Sequence, residues 1–376
     1  METTTESFRL GHAADADWET LTDMCLRQIG EVPRGTNLGF LYVTDMLDDD
    51  LARIEERLRR ETGVENWVGT IGLGVMVGGH EYFEKPAMVA MVGALPEEAF
   101  RLLPSVAKPG DALPDELMNW VGQENAAFGV VHADPRNPYV LDILNSITDD
   151  TDAFLVGGLT SSRSRFSQIS GGLTEGGVSG VLFSSDVAVV TGLSQGCSPV
   201  GDVHTVTRAQ GNVLSELDGR PAFEVFRGDI GEVLARNIDR IPLYIHAALP
   251  VAGDDSGDYM VRNVVGIDAA NGLIAIGDRI SAGDRVMFVR RDVPSASKDL
   301  DRMLADVTGR AAAKPRAALY FSCVARGPNL FGHNSEELSA VRDAIGADVP
   351  VVGFFANGEI SKNRLYGYTG VLTLLM

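Results

Sequence analysis

Apolar and polar positions along the chain switch between a helical period and unbroken apolar runs, and the succession recurs three times. Near the N-terminus Trp18, Leu21, Met24, Cys25 and Ile29 fall at spacings of three and four, which predicts a helix over 15–29 with Cys25 on its core face. An apolar strand at 39–44 follows, then an acid-headed helix over 48–61, then a second apolar strand from Trp67 into the turn Gly72-Leu73-Gly74. The same order returns at 128–134, 138–150 and 153–162, and again at 317–323, 335–345 and 349–360. Each copy leads into another β segment, at 87–95, 180–192 and 368–375. The pattern is a repeated β-α-β-β unit. First and second strands without polar interruption are expected to be buried on both faces. The fold class is therefore α/β (α+β) with mixed sheets, set side by side or stacked face to face with helices outside.

A different texture separates the second and third copies. Residues 204–210 and 213–219 alternate around Gly211-Asn212, a hairpin signal. Pro221 opens a helix, and Asp229 with Glu232 reads as a capping box for a further helix ending near Ile238. Three β runs, 260–268, 273–280 and 285–291, complete a meander. With 376 residues, two domains are expected. We place an N-terminal helix at 1–34, a first domain at 35–221 and a second at 222–376.

Composition narrows the function. Hydrophobic residues are 45% and charged residues 22%, ordinary for a folded chain. The net charge of −20 repels phosphate backbones and anionic lipid, so nucleic acid and membrane surfaces are poor partners. No apolar run reaches the ~18 residues of a spanning helix, and the start lacks a basic, apolar leader; the expected location is the cytoplasm. Cys25, Cys197 and Cys323 form no CxxC, and His12, His80, His132, His204, His246 and His333 show no ligand spacing, so neither a disulfide framework nor a metal or cofactor is expected.

Glycine, 42 residues, concentrates at strand ends such as Gly157-Gly158, Gly171-Gly172, Gly176-Gly177, Gly353 and Gly358. Such positions turn tightly, and their N–H groups can also meet a ligand closely; no phosphate-loop motif is present. Arg163, Arg165, Arg326 and Arg364 follow these turns, and a guanidinium fork beside backbone donors suits a carboxylate. Taken alone, each is better explained as a loop charge paired with one of the many carboxylates. Cys197, in QGCSPVGD, and Cys323, in YFSCVARG, are candidate nucleophiles with His204 and His333 as the nearest bases by position, or simply buried thiols. Glu359, in NGEI, is a candidate amine acceptor or general base.

Two long stretches resemble the paired FIST N and FIST C domains of sensory proteins. FLVGGLTSS and GVSGVLFSSDVAVVTGLSQGCSPVGDVHTVTRAQGNVLSELDGRPAFEVF carry the first, and YFSCVARGPNLFG, VPVVGFFANGEI and TGVLTLL the second. The resemblance implies an intracellular sensor of a small ligand such as an amino acid. About 34 residues before the first domain leave no space for an output module, so a separate signalling protein is the expected partner. The resulting expectation is a small anionic or zwitterionic ligand, an amino acid or small organic acid, in a cleft between the domains. It would be bound by Gly157, Gly158, Ser161, Ser162, Cys197, Cys323, Arg326, Gly327, Gly353, Asn357 and Glu359, with Arg326 as carboxylate clamp. This requires the recurring glycine loops to meet in one hollow. The alternatives are a thiol-dependent enzyme using Cys197 or Cys323, placed behind binding, and a protein-interaction scaffold.

Overall fold

The computed structural model of the chain describes residues 8–235, 241, 244–251 and 259–376. It divides into two compact units, Met1–Ser194 with Leu300–Leu365 and Thr369–Met376, and Gln195–Asp299 with Tyr366–Tyr368.

The first unit contains three six-stranded sheets. Sheet one runs Arg9–Ala14, Ala87–Gly93, Leu38–Thr44, Asn66–Gly72, Gln168–Ser170, Leu173–Thr174. Sheet two runs Phe100–Val106, Val178–Ser184, Ala126–Ala133, Phe154–Leu159, Glu359–Ser361, Arg364–Tyr366. Sheet three runs Val189–Gln195, Thr369–Leu375, Ala317–Cys323, Val351–Ala356, Gly74–Val77, His80–Phe83. The plan is the same each time. Two central strands pair in parallel, an antiparallel strand of the same repeat flanks them on one side, and a short hairpin closes the other side.

That hairpin always comes from another repeat. The first repeat gives its hairpin to sheet three, the second to sheet one and the third to sheet two. The repeat is also longer than the β-α-β-β unit read from the sequence. A strand and a helix precede it in every copy: Arg9–Ala14 with Trp18–Ile29, Phe100–Val106 with Asp115–Glu124, and Val189–Gln195 with Val293–Arg310. The apolar stretch 180–192 thus contains two strands, the last of the second repeat and the first of the third.

Alternation within the strands explains the burial on both faces. Phe40, Tyr42, Phe128, Val130, Leu319, Phe321, Val352 and Phe354 face one shared interior. Their sequence neighbours face outward to helices, Leu41 and Val43 toward Leu21, Ile54 and Leu58, and Ala318 and Tyr320 toward Met303, Leu338 and Val341. Fully burying each such large apolar side chain contributes about 1.5–3 kcal/mol. At matching register positions Tyr42, His132 and Phe321 meet with ring centroids 5.5–6.2 Å apart. Burial pulls His132 down to about 3, so it sits there as a neutral ring, bonded to the Tyr42 hydroxyl at 3.3 Å.

The second unit is a small barrel. Strands Arg285–Arg291, His204–Gln210, Val213–Leu217, Leu273–Ile276, Tyr259–Asp268 and Ile245–Pro250 pair in turn, and the last pairs back with the first. Helix Ala222–Ala235 is broken at Gly231, whose φ is 77°. Asp229, the expected cap, accepts from His204 Nε2 at 2.9 Å. The helix end expected near Ile238 lies outside the described residues. In chain order the barrel is inserted into the third repeat, between its first strand and its first helix.

Candidate functional site

In the first unit a buried polar cluster forms where strand Ala317–Cys323 ends. A tight turn, with Arg326 N donating to Cys323 O at 2.7 Å, sends the Arg326 side chain inward. Glu337, in the first turn of helix Glu336–Ile345, receives it. Its Oε1 accepts from Arg326 Nε at 2.8 Å, Tyr320 Oη at 2.6 Å and Ser322 Oγ at 3.0 Å, and its Oε2 from Gly327 N at 2.8 Å. Both partners of this ion pair are 0% exposed. Arg326 also approaches Ser194 at 3.4 Å and 3.5 Å and lies over the Phe331 ring. Gly327 takes φ 51°, and a Cβ there would stand 2.4 Å from the Phe355 ring, so only glycine fits.

Two more carboxyls approach this guanidinium. Glu81, on the hairpin donated by the first repeat, accepts from Leu338 N at 3.1 Å at the start of the helix. Burial, reinforced by Glu337, pushes it up to about 8. Glu359 is fully buried; its Oε2 accepts from Thr369 N at 3.1 Å and Thr369 Oγ1 at 2.7 Å. Its Oε1 has no hydrogen-bond partner. Burial pushes Glu359 up to about 8, against the Thr369 bonds, the Arg326 charge and the adjacent Cys323 thiol. Three carboxyls thus share one guanidinium, and at neutral pH Glu359 is mainly the neutral acid.

The structure brings most of the expected residues together. Gly158 pairs with Glu359 and Gly157 with Ile360 in sheet two, while Gly353 pairs with Tyr320 in sheet three. Asn357 N donates to Leu159 O at 3.0 Å, linking the two segments. Ser161 Oγ accepts from Leu73 N at 2.8 Å and donates to Phe355 O. Ser162 stands apart, half-buried, 3.5 Å from Ser164 Oγ. Arg163 and Arg165 are engaged by Asp45 and Asp49. Glu337, Glu81, Tyr320 and Thr369 escape sequence reasoning, because on a helix face or strand they look like ordinary polar positions. The apolar runs around Tyr320 and Thr369 were the only signal that these groups would be buried.

Cys197 belongs to the barrel, where it is buried and its carbonyl accepts from Tyr259 Oη at 2.6 Å. His204, the base nearest to it in sequence, has both nitrogens committed, to Asp218 at 2.6 Å and Asp229 at 2.9 Å. Burial opposes the imidazolium, but the two carboxylates outweigh it and raise His204. His333 is exposed. Cys25 packs in the core, its thiol pushed up to about 12 by burial. Among the described residues no helix is long and apolar enough to cross a membrane.

Comparison with known proteins matches nearly the whole chain to two consecutive family domains. Residues 37–220 match the FIST N domain and residues 222–362 the FIST C domain. An uncharacterized protein of Mycobacterium tuberculosis strain H37Rv is 30% identical over 363 residues, 90% of each chain. An uncharacterized protein of Mycobacterium bovis is 29% identical over 327 residues, 82% of each chain.

Proposed function

From its membership of the family that joins a FIST N to a FIST C domain, domains associated with sensory signal transduction and small-ligand binding, we propose that this chain is a cytoplasmic sensor of a small zwitterion such as an amino acid. The observation that carries the reading is the unpartnered Oε1 of Glu359. On the neutral acid this oxygen carries the proton and finds no acceptor, which is costly in the interior, and ionisation beside a ligand's ammonium removes that cost. Arg326 supplies the positive charge for the ligand's acid end, and Gly157, Gly158, Ser161, Gly353 and Asn357 hold the two strand ends in place. The signal passes to a separate protein.

Calorimetry against a panel of amino acids and matched acids lacking the amine tests this. A zwitterion should bind the native chain, and Glu359→Gln should weaken it by roughly 10- to 100-fold, the worth of a hydrogen bond to a charged group. Equal binding by both proteins, or equal binding of the amine-free acids, overturns the assignment. The Cys323 thiol beside Glu359 favours a second reading, a thiol enzyme. Iodoacetamide kinetics separate the two: alkylation of Cys323 faster than free cysteine, and slowed in Glu359→Gln, would mark a nucleophile.

A further inference from the structure

The barrel holds a side chain that its own packing does not explain. His246 lies on strand Ile245–Pro250, opposite Asn263 on one side and Val289 on the other. It is 2% exposed, and neither Nδ1 nor Nε2 has a hydrogen-bond partner. A neutral imidazole presents one N–H and one lone pair, so both are left unmade in the interior. Phenylalanine would fill the same space without that cost. Burial, with the Arg291 charge adding to it, pulls His246 down to about 4, so the ring is neutral and keeps a single N–H donor.

The surroundings hold this ring in a fixed pose. Tyr368 stacks on it with centroids 4.5 Å apart. Tyr368 itself is held at φ 64°, a strained conformation for an aromatic residue, and its hydroxyl donates to Asn263 Oδ1 at 2.5 Å. The Arg291 guanidinium lies 5.8 Å from the centre of the Tyr368 ring. A neutral imidazole and a cation therefore both lie against one aromatic ring within the barrel unit.

We propose that His246, together with Arg291 and Tyr368, forms a binding subsite for the carboxylate of a small organic acid. One carboxylate oxygen accepts the imidazole N–H and the negative charge faces Arg291, which a neutral ligand would not exploit. The subsite goes beyond the amine contact at Glu359 and uses none of its residues.

The test follows the side-chain signals of the six histidines by NMR while acetate, lactate or inorganic phosphate is added to the whole chain. The expected result is a saturable shift of His246 with acetate and lactate. It should be unchanged in Glu359→Gln, while in His246→Phe the carboxylate affinity, read by calorimetry, falls about tenfold or more. A thermal midpoint in His246→Phe equal to or above the native one shows that the fold is intact. Unmoved His246 signals, unchanged affinity in His246→Phe, or a response to phosphate alone would each overturn the proposal. Loss of acetate binding in Glu359→Gln with retention in His246→Phe would place the acid at the other cluster and overturn it as well.

Discussion

Glu359 ties stability to pH in a direction that can be stated in advance. Its folded pKa, about 8, lies above the ordinary glutamate value of about 4.5, so between these limits the native chain holds a proton that the unfolded chain has released. Stability is therefore fully present below about pH 4.5 and falls as pH rises toward about 8. Glu81, also raised to about 8, adds to the same trend. In Glu359→Gln the Glu359 share disappears: thermal midpoints should match the native chain near pH 5 and exceed it at pH 8, where the stability difference is on the order of a few kcal/mol. Parallel pH curves for the two proteins would remove the claim that this carboxyl is neutral in the fold. Glu337 accepts from four donors, one of them the Arg326 guanidinium. Glu337→Ala takes from the buried Arg326 the carboxylate that it hydrogen-bonds, and should cost about 3–5 kcal/mol in urea unfolding. At this scale the sequence is half legible. Arg326 and Glu359 stand out beside their glycines, whereas Glu337 is hidden as an ordinary first-turn acid and His246 as one of six histidines without ligand spacing.

The repeated element turns on one glycine in each second strand. A Cβ at Gly69 would stand 1.7 Å from Leu41 O, at Gly157 1.8 Å from Val131 O, and at Gly353 1.7 Å from Tyr320 O. These carbonyls belong to the residues directly opposite in the parallel pair. Gly353→Ala should therefore destabilise by more than about 4 kcal/mol or prevent folding. Gly122→Ala, inside helix Asp115–Glu124 with nothing within 4 Å of the new carbon, should stabilise by roughly 0.5–1 kcal/mol. Urea midpoints that rank the two the other way would show the strands able to part. Elements buried on both faces, such as Leu38–Thr44 and Val351–Ala356, are legible because nothing polar interrupts them. Strand Arg9–Ala14 carries Arg9 and His12, Phe100–Val106 carries Arg101 and Ser105, and the hairpin strand His80–Phe83 is exposed to half-buried throughout. Their pairing is set by partners distant in sequence, which local periodicity cannot reveal.

Exchange of hairpins in a closed cycle makes the three repeats interdependent, since none completes a sheet from its own residues. The barrel stands outside that cycle. Its apolar residues form their own clusters around Phe226 and Phe288 and around Tyr259 and Val289. The chain departs at Gln195 and returns near Asp299, and Gln195 N donates to Asp299 Oδ2 at 2.6 Å, so the two crossings are neighbours. An element with its own core and adjacent ends has the anatomy of an inserted domain. A chain in which residues 196–298 are replaced by about four to six Gly and Ser residues, the length of an ordinary short connection, should keep the three-sheet fold. It should unfold in one cooperative thermal transition, with sheet and helix signals by circular dichroism in proportion to its remaining residues. A cut at residue 221 should do the opposite. It separates strands His204–Gln210 and Val213–Leu217 from the other four barrel strands and the third repeat from the hairpin it receives, so the fragment 1–221 should lack a cooperative transition. If that fragment folded cooperatively while the excised chain did not, the boundary between the family's two sequence domains would be the structural one, and the barrel would be part of the core rather than a passenger within the third repeat.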